Sequence, residues 1–214
     1  MKTVFVRPKL NRFIKNKRIY LRNEVTAAFV VKKSFSDDGE EALAFVRCGK
    51  DSTVTSLHDD IMEQILFCRS DKPDNSTASM DALRKLPRPI FGALMWTLHK
   101  LDNHGWVPLS LIKTDPYYAS VVISNLGSIG LKCGYHHLCN WGTNSLFCVM
   151  GQTKNEPVFS PDGSVEFRPT LELSLTIDER LADGYYYSRS VKLLKHLLTN
   201  PELLELPAEE KIEF

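Results

Sequence analysis

Ser174-Leu175-Thr176-Ile177-Asp178-Glu179-Arg180-Leu181-Ala182-Asp183-Gly184 runs from a strand-like alternation into a helix. Between them lies a short turn that concentrates Asp178, Glu179 and Arg180 and ends on a glycine, a fit place for chemistry. Working outward, Pro161-Asp162-Gly163 is a hairpin turn that opens a long strand over 165–177. Downstream the pattern predicts a helix over 184–199, with Val191, Leu194, Leu197 and Leu198 on one face. Asn200-Pro201 stops it.

Upstream, 18–22 and 25–33 read as strands around Asn23-Glu24, and 42–47 as another after a turn at 36–39. Ser52 or Thr53 can cap a helix over 54–68 whose Leu57, Ile61, Ile65 and Leu66 fall at helical spacing. Residues 71–79 are polar and rich in breakers, a surface loop. The stretch 83–101 is apolar and helical, with Pro87 and Pro89 near its start, where proline is tolerated. Apolar runs at 118–124 and 145–152 suit strands buried on both faces. Strands and helices mix without regular β-α-β alternation, so the expected fold class is α+β rather than a doubly wound sheet.

A chain of 214 residues supports one substantial domain, here taken as 1–214. At 43% hydrophobic, 25% charged and net charge +1, it lacks the basic excess of a nucleic-acid binder, so no nucleic-acid partner is expected. Eight basic residues nevertheless crowd 2–22 with no acid before Glu24, which reads as a solvated basic face. Five cysteines, an odd number, point to reduced thiols and a cytoplasmic location. Cys133 and Cys139 enclose His136 and His137, but the spacing fits no common zinc pattern, and no metal is expected. No run reaches the roughly 18 to 20 apolar residues of a membrane span, and no membrane contact is expected.

Several segments, in order, resemble the catalytic domain of dihydrolipoyl acyltransferases, whose fold is shared with chloramphenicol acetyltransferase. Ile123-Ser124-Asn125-Leu126-Gly127 is similar to the motif I-S-[NS]-L-G, and 178–184 to D-H-R-x-x-D-G. Phe147-Cys148-Val149-Met150-Gly151 sits where the family has a buried strand ending in glycine, and 198–204 resembles L-x-N-P-x-x-L. The match is best over 118–204. Arg7-Pro8-Lys9-Leu10-Asn11 resembles the end of the family's first helix, so the family's opening strand and most of that helix would lie before Met1. No lipoyl attachment is expected in this chain.

The resemblance implies a chloramphenicol acetyltransferase-like mixed sheet flanked by helices, and a homotrimer with an active site at each subunit interface. Coenzyme A would be a substrate rather than a tightly bound cofactor, and a small-molecule acyl acceptor the other partner. In the family the motif histidine takes a thiol proton and the motif serine donates a hydrogen bond to the tetrahedral oxyanion. Carried across, Ser124 matches the oxyanion serine and Asp183 the motif aspartate that holds the site's structure. Glu179 stands where the histidine should be.

Moving a proton from a thiol (pKa about 8.5) to histidine (about 6.5) is uphill by about 2.7 kcal/mol, and to an unperturbed glutamate (about 4.3) by about 5.7 kcal/mol. The difference of about 3 kcal/mol slows the step roughly a hundredfold, other things equal. Burial of the carboxylate would narrow that gap, and approach of Arg180 would widen it. Glu179 is therefore either a tuned base in an acyltransferase or the mark of a non-catalytic homologue serving as trimeric scaffold or acyl-ligand binder. Among the histidines, His136 and His137 lie in a loop near the serine motif, and His196 in the last helix. Tyr185, Tyr186 and Tyr187 open that helix, where they reshape a pocket or pack on a neighbouring subunit.

Overall fold

The computed structural model describes residues 1–34, 36, 39, 41–70, 86–112 and 115–214. Residues 37 and 38 of the turn expected at 36–39 and all of the loop at 71–79 lie outside those residues.

Five strands form one mixed sheet: β3 (Val25–Lys32), β4 (Glu41–Cys48), β5 (Val121–Asn125), β6 (Leu146–Phe159) and β7 (Val165–Ile177), ordered β4-β3-β5-β6-β7. The β3–β5 and β5–β6 pairs are parallel, and the outer pairs antiparallel. A separate hairpin joins β1 (Arg12–Lys15) to β2 (Arg18–Leu21) through Asn16 and Lys17, both at positive φ. The sequence reading missed β1 because its positions are all half-buried, without alternation. It placed β2 beside β3, whereas β2 pairs back onto β1.

One face of the sheet carries Ala27, Val46, Val121, Ile123 and Cys148, which pack with Met1 and with Ile61 of α2 (Val54–Arg69). Thr53 caps α2 in a reciprocal box with Ser56. Leu57, Ile61 and Ile65, four residues apart, each join a core cluster. Leu66, one step off that stripe, is 64% exposed, contrary to its expected place on the apolar face. A short helix α1 (Lys2–Val6) packs Val4 and Phe5 against Val25, Cys48 and Tyr187.

The expected strand 118–124 starts later, because Pro116–Tyr118 form a 3-10 turn capped by Asp115. Of the expected helix 83–101, residues 83–85 lie outside the described residues and 88–101 fall in α3 (Arg88–Asn103), followed by the one-turn helix α4 (Leu109–Ile112). The last helix, α5 (Gly184–Thr199), has the expected bounds but a different buried stripe: Tyr187, Ser190, Leu193 and Leu197. Val191 and Leu198 stay exposed.

The basic run is mostly not a solvated face. Lys2 is buried, its Nζ donating to the carbonyls of Leu206 (2.9 Å) and Pro207 (2.6 Å). Arg7 donates to Tyr186 O and Ser190 Oγ. Lys2 thereby joins the start of the chain to the segment after Leu204, and Arg7 ties the end of α1 to the last helix. Lys17 and Arg18 remain exposed.

Candidate functional site

Register places Ser124 opposite Val149, and Val149 opposite Ser174. Side chains in register share a face, so Val122, Ser124, Phe147, Val149, Ser174 and Thr176 lie on the sheet face opposite α2. At the strand end the turn is held by neighbours of Ser124: Asn125 Oδ1 accepts from Ser128 N (3.1 Å) and Ser128 Oγ donates to Asn125 O (2.7 Å). Ser124 is half-buried, and its hydroxyl makes no hydrogen bond among the described residues. It is left free to donate. The motif glycine has a packing reason: a Cβ on Gly127 would lie 2.4 Å from Gly151 O, so the two motif glycines let backbones meet.

The turn after β7 is braced. Arg180 grips Asp178 with two bonds, Nε–Oδ1 at 2.7 Å and Nη2–Oδ2 at 2.6 Å, while Arg180 N donates to Oδ1. Tyr187 Oη donates to Asp178 O at 2.6 Å, and Asp183 Oδ1 caps α5 by accepting from Tyr186 N at 2.8 Å. Hydrogen bonds from Arg180 hold the Asp178 carboxyl below its usual range. The Tyr186 amide does the same for Asp183. Glu179 projects from this frame, exposed, with no hydrogen bond or ion pair among the described residues. Arg180 is committed to Asp178.

Within one protomer Ser124 and Glu179 do not meet. Ser124 shares a rung with Ser174, three residues before the end of β7, so about 10 Å along the strands and two spacings of about 4.8 Å separate Ser124 from Ile177. Glu179 lies past that end, since Asp178 N donates to Ser145 O just before β6.

His136 stacks on Phe147, centroids 4.6 Å apart, so it lies over the face that carries Ser124. Cys133 Sγ donates to Val149 O and Glu172 O. Among the described residues no three His, Cys, Asp or Glu side chains are grouped to hold a metal ion. His196 is half-buried in α5. Two of the tyrosines pack inside the protomer. Tyr186 lies under the Arg7 guanidinium, 3.8 Å from the ring centroid, and its hydroxyl accepts from Lys9 N, while Tyr187 is buried in the core. Tyr185 alone is exposed.

Sequence reasoning missed a polar cluster at the same end of the sheet as Glu179. Buried Asp102 pairs with Lys15 and accepts from Tyr118 Oη at 2.6 Å. Arg22 donates to Thr143 O and to Arg12 O, and burial lowers its pKa to about 10. Asp115 takes the Trp141 indole N–H at 2.7 Å, and burial raises its pKa. Lys15, Arg22, Asp102 and Tyr118 line an open cavity of about 810 Å³. A smaller one of about 230 Å³ reaches from Lys15 to Asp178 and Arg180. No local signal marks this cluster, because Lys15 and Asp102 stand 87 residues apart.

Residues 112–206 match the family model of 2-oxoacid dehydrogenases acyltransferase (catalytic domain). Among solved structures, the chain is similar to a probable dihydrolipoamide acetyltransferase from Listeria monocytogenes 4b F2365, with 12% identity, TM-score 0.56, and coverage of 92% of this chain and 69% of that one. It is also similar to the Azotobacter vinelandii dihydrolipoamide acetyltransferase studied for the roles of a serine, a histidine and an asparagine in its mechanism (17%, TM-score 0.54, 96% and 67%). A chloramphenicol acetyltransferase matches at 11% identity and TM-score 0.50, over 92% of this chain and 72% of that one. The chain resembles the acyltransferase catalytic domain, and its fold is of the chloramphenicol acetyltransferase type.

Proposed function

We propose that this acyltransferase-like chain moves an acyl group between coenzyme A and a small thiol-bearing acceptor in a site assembled between copies. The observation that carries the reading is the unengaged Ser124 hydroxyl at the end of the Ile123–Gly127 motif. In this reading Ser124 donates to the oxyanion that forms when a thiolate attacks the acyl carbon. Glu179 of a neighbouring copy accepts the thiol proton, and its proton affinity rises when the neighbour covers it. Asp183 and Asp178 fix the turn that aims it. The acyl carbon exchanges one thiolate for another, and the proton returns to the departing sulfur.

Assembly is required, because one protomer keeps Ser124 and Glu179 apart. The β6–β7 ribbon supports it. Pro157, Phe159, Val165, Phe167, Pro169 and Leu171 alternate onto one face, and Phe159 and Phe167 are 73% and 70% exposed. A homotrimer, as in the family, would cover such a face. The odd number of cysteines, five, supports a reducing, cytoplasmic setting.

A second reading, a non-catalytic scaffold or acyl-ligand binder, is favoured by the exposure of Glu179. Transfer from a panel of acyl-coenzyme A donors to dihydrolipoamide decides between them. Acyl transfer predicts measurable turnover, a loss of about a hundredfold in Ser124→Ala, loss in Glu179→Ala, and a gain in Glu179→His. Coenzyme A binding without turnover in either the parent or Glu179→His assigns the scaffold role.

A further inference from the structure

No helix among the described residues is long and apolar enough to cross a membrane. The surface around α3 nonetheless has the chemistry of one that lies on a membrane. Leu94, Leu98 and Leu101 of α3 are half-buried, whereas Trp96 is 65% exposed. At about 100° per residue, Trp96 shares the outward face with Arg88, His99 and Lys100. Lys100 Nζ sits 5.6 Å from the Trp96 ring centroid. Beyond the helix, Trp106 and Leu109 are 70% and 68% exposed. The sole acid in 88–112 is Asp102, which is buried against Lys15 and Tyr118. Every exposed charge on this segment is cationic.

A second, unrelated segment meets this one at the C-terminal end of the helix. Strand β2 is exposed along its length, presenting Ile19, Tyr20 and Leu21 beside Lys17 and Arg18. Arg18, Tyr20 and Leu21 line the 810 Å³ cavity together with His104 and Leu109, so hairpin and helix end share one rim. Of the two acids lining it, Asp102 is buried against Lys15 and Glu24 is paired with Arg47.

We propose that this surface docks peripherally on an anionic lipid bilayer. Indole and phenol rings interleaved with lysine and arginine match the headgroup layer, where amphipathic rings meet negative charge. A second copy pressed on this face would bring like charges together. Acidic headgroups complement them.

The full chain is mixed with phosphatidylcholine vesicles, with and without phosphatidylglycerol, and followed by flotation and tryptophan emission. The expected result is flotation and a blue shift with phosphatidylglycerol, with binding at least about tenfold weaker without it and weakened by salt. Lys17→Glu/Arg18→Glu and Trp96→Ser/Trp106→Ser should each reduce partition about tenfold or more with unchanged circular dichroism. Should either variant fail to fold, the lipid-charge and salt dependence of the parent chain decides. No flotation on anionic vesicles, or equal flotation on neutral ones, overturns the proposal. So does a lipid-free oligomer in which Trp96 is shielded from acrylamide, since that gives the surface to a second copy.

Discussion

Arg180 closes a two-bond grip on Asp178 and leaves its neighbour Glu179 with no partner among the described residues. The nearest cation in the sequence is spent inside the turn. Asp178 gains instead, and its folded-state pKa falls below the ordinary 3.8. A depressed carboxyl pKa stabilises the fold fully above the unfolded value and loses that share as pH drops through the lower folded one. Asp178→Asn should therefore cost about 1 kcal/mol at neutral pH, the exposed guanidinium limiting the effect. The gap between variant and parent in urea unfolding should close as pH falls below 3.8.

Asp102 and Lys15 are both largely out of water, so removing one partner strands the other. Asp102→Ala should destabilise the chain by roughly 3 kcal/mol or more. The double variant Asp102→Leu/Lys15→Met should recover much of that, as thermal unfolding will show. Equal losses in the two would mean that Tyr118, not Lys15, is the partner that matters.

Gly127→Ala places a methyl group 2.4 Å from Gly151 O, a contact that only backbone movement relieves. A loss of about 2 kcal/mol is expected, with a shifted environment for the adjoining Ser124. A variant as stable as the parent would show that the turn can open there at little cost.

The thiols should differ in reactivity. Burial pushes the Cys48 and Cys148 thiols up, so less thiolate exists at neutral pH, while Cys139 is exposed. Under mild maleimide labelling Cys139 should react first, at least about tenfold faster than Cys148. Peptide mapping of the labelled chain reads the order directly.

Asp183→Asn should keep the α5 cap, because asparagine offers the same acceptor to Tyr186 N, whereas Asp183→Ala should lower the melting temperature. If Asp183 serves only to brace the turn, acyl transfer should survive in the first variant.

The long strand Val165–Ile177 and the helix Gly184–Thr199 were legible because strong periodicity ran between clear stops, a Pro-Asp-Gly turn and Asn-Pro. The mixed sheet followed from the two motifs. The buried stripe of α5 was misread, since counting leucines ignores Tyr187 and Ser190, which face inward through hydrogen bonds to Asp178 O and Tyr186 O. Hairpin β1–β2 escaped because its signal is two left-handed residues, Asn16 and Lys17, in a run that looked only basic. The residues of the candidate site could be named from motif spacing, yet their separation could not. It depends on register across three strands, which a linear text does not carry.

The 178–187 turn is anchored by Asp178, Asp183 and Tyr187, and none of these anchors passes through position 179. A socket built this way accepts different side chains at its tip without refolding. Imidazole, carboxylate or an inert group could be exchanged there by a single codon, so the turn can outlast any one chemistry that it presents.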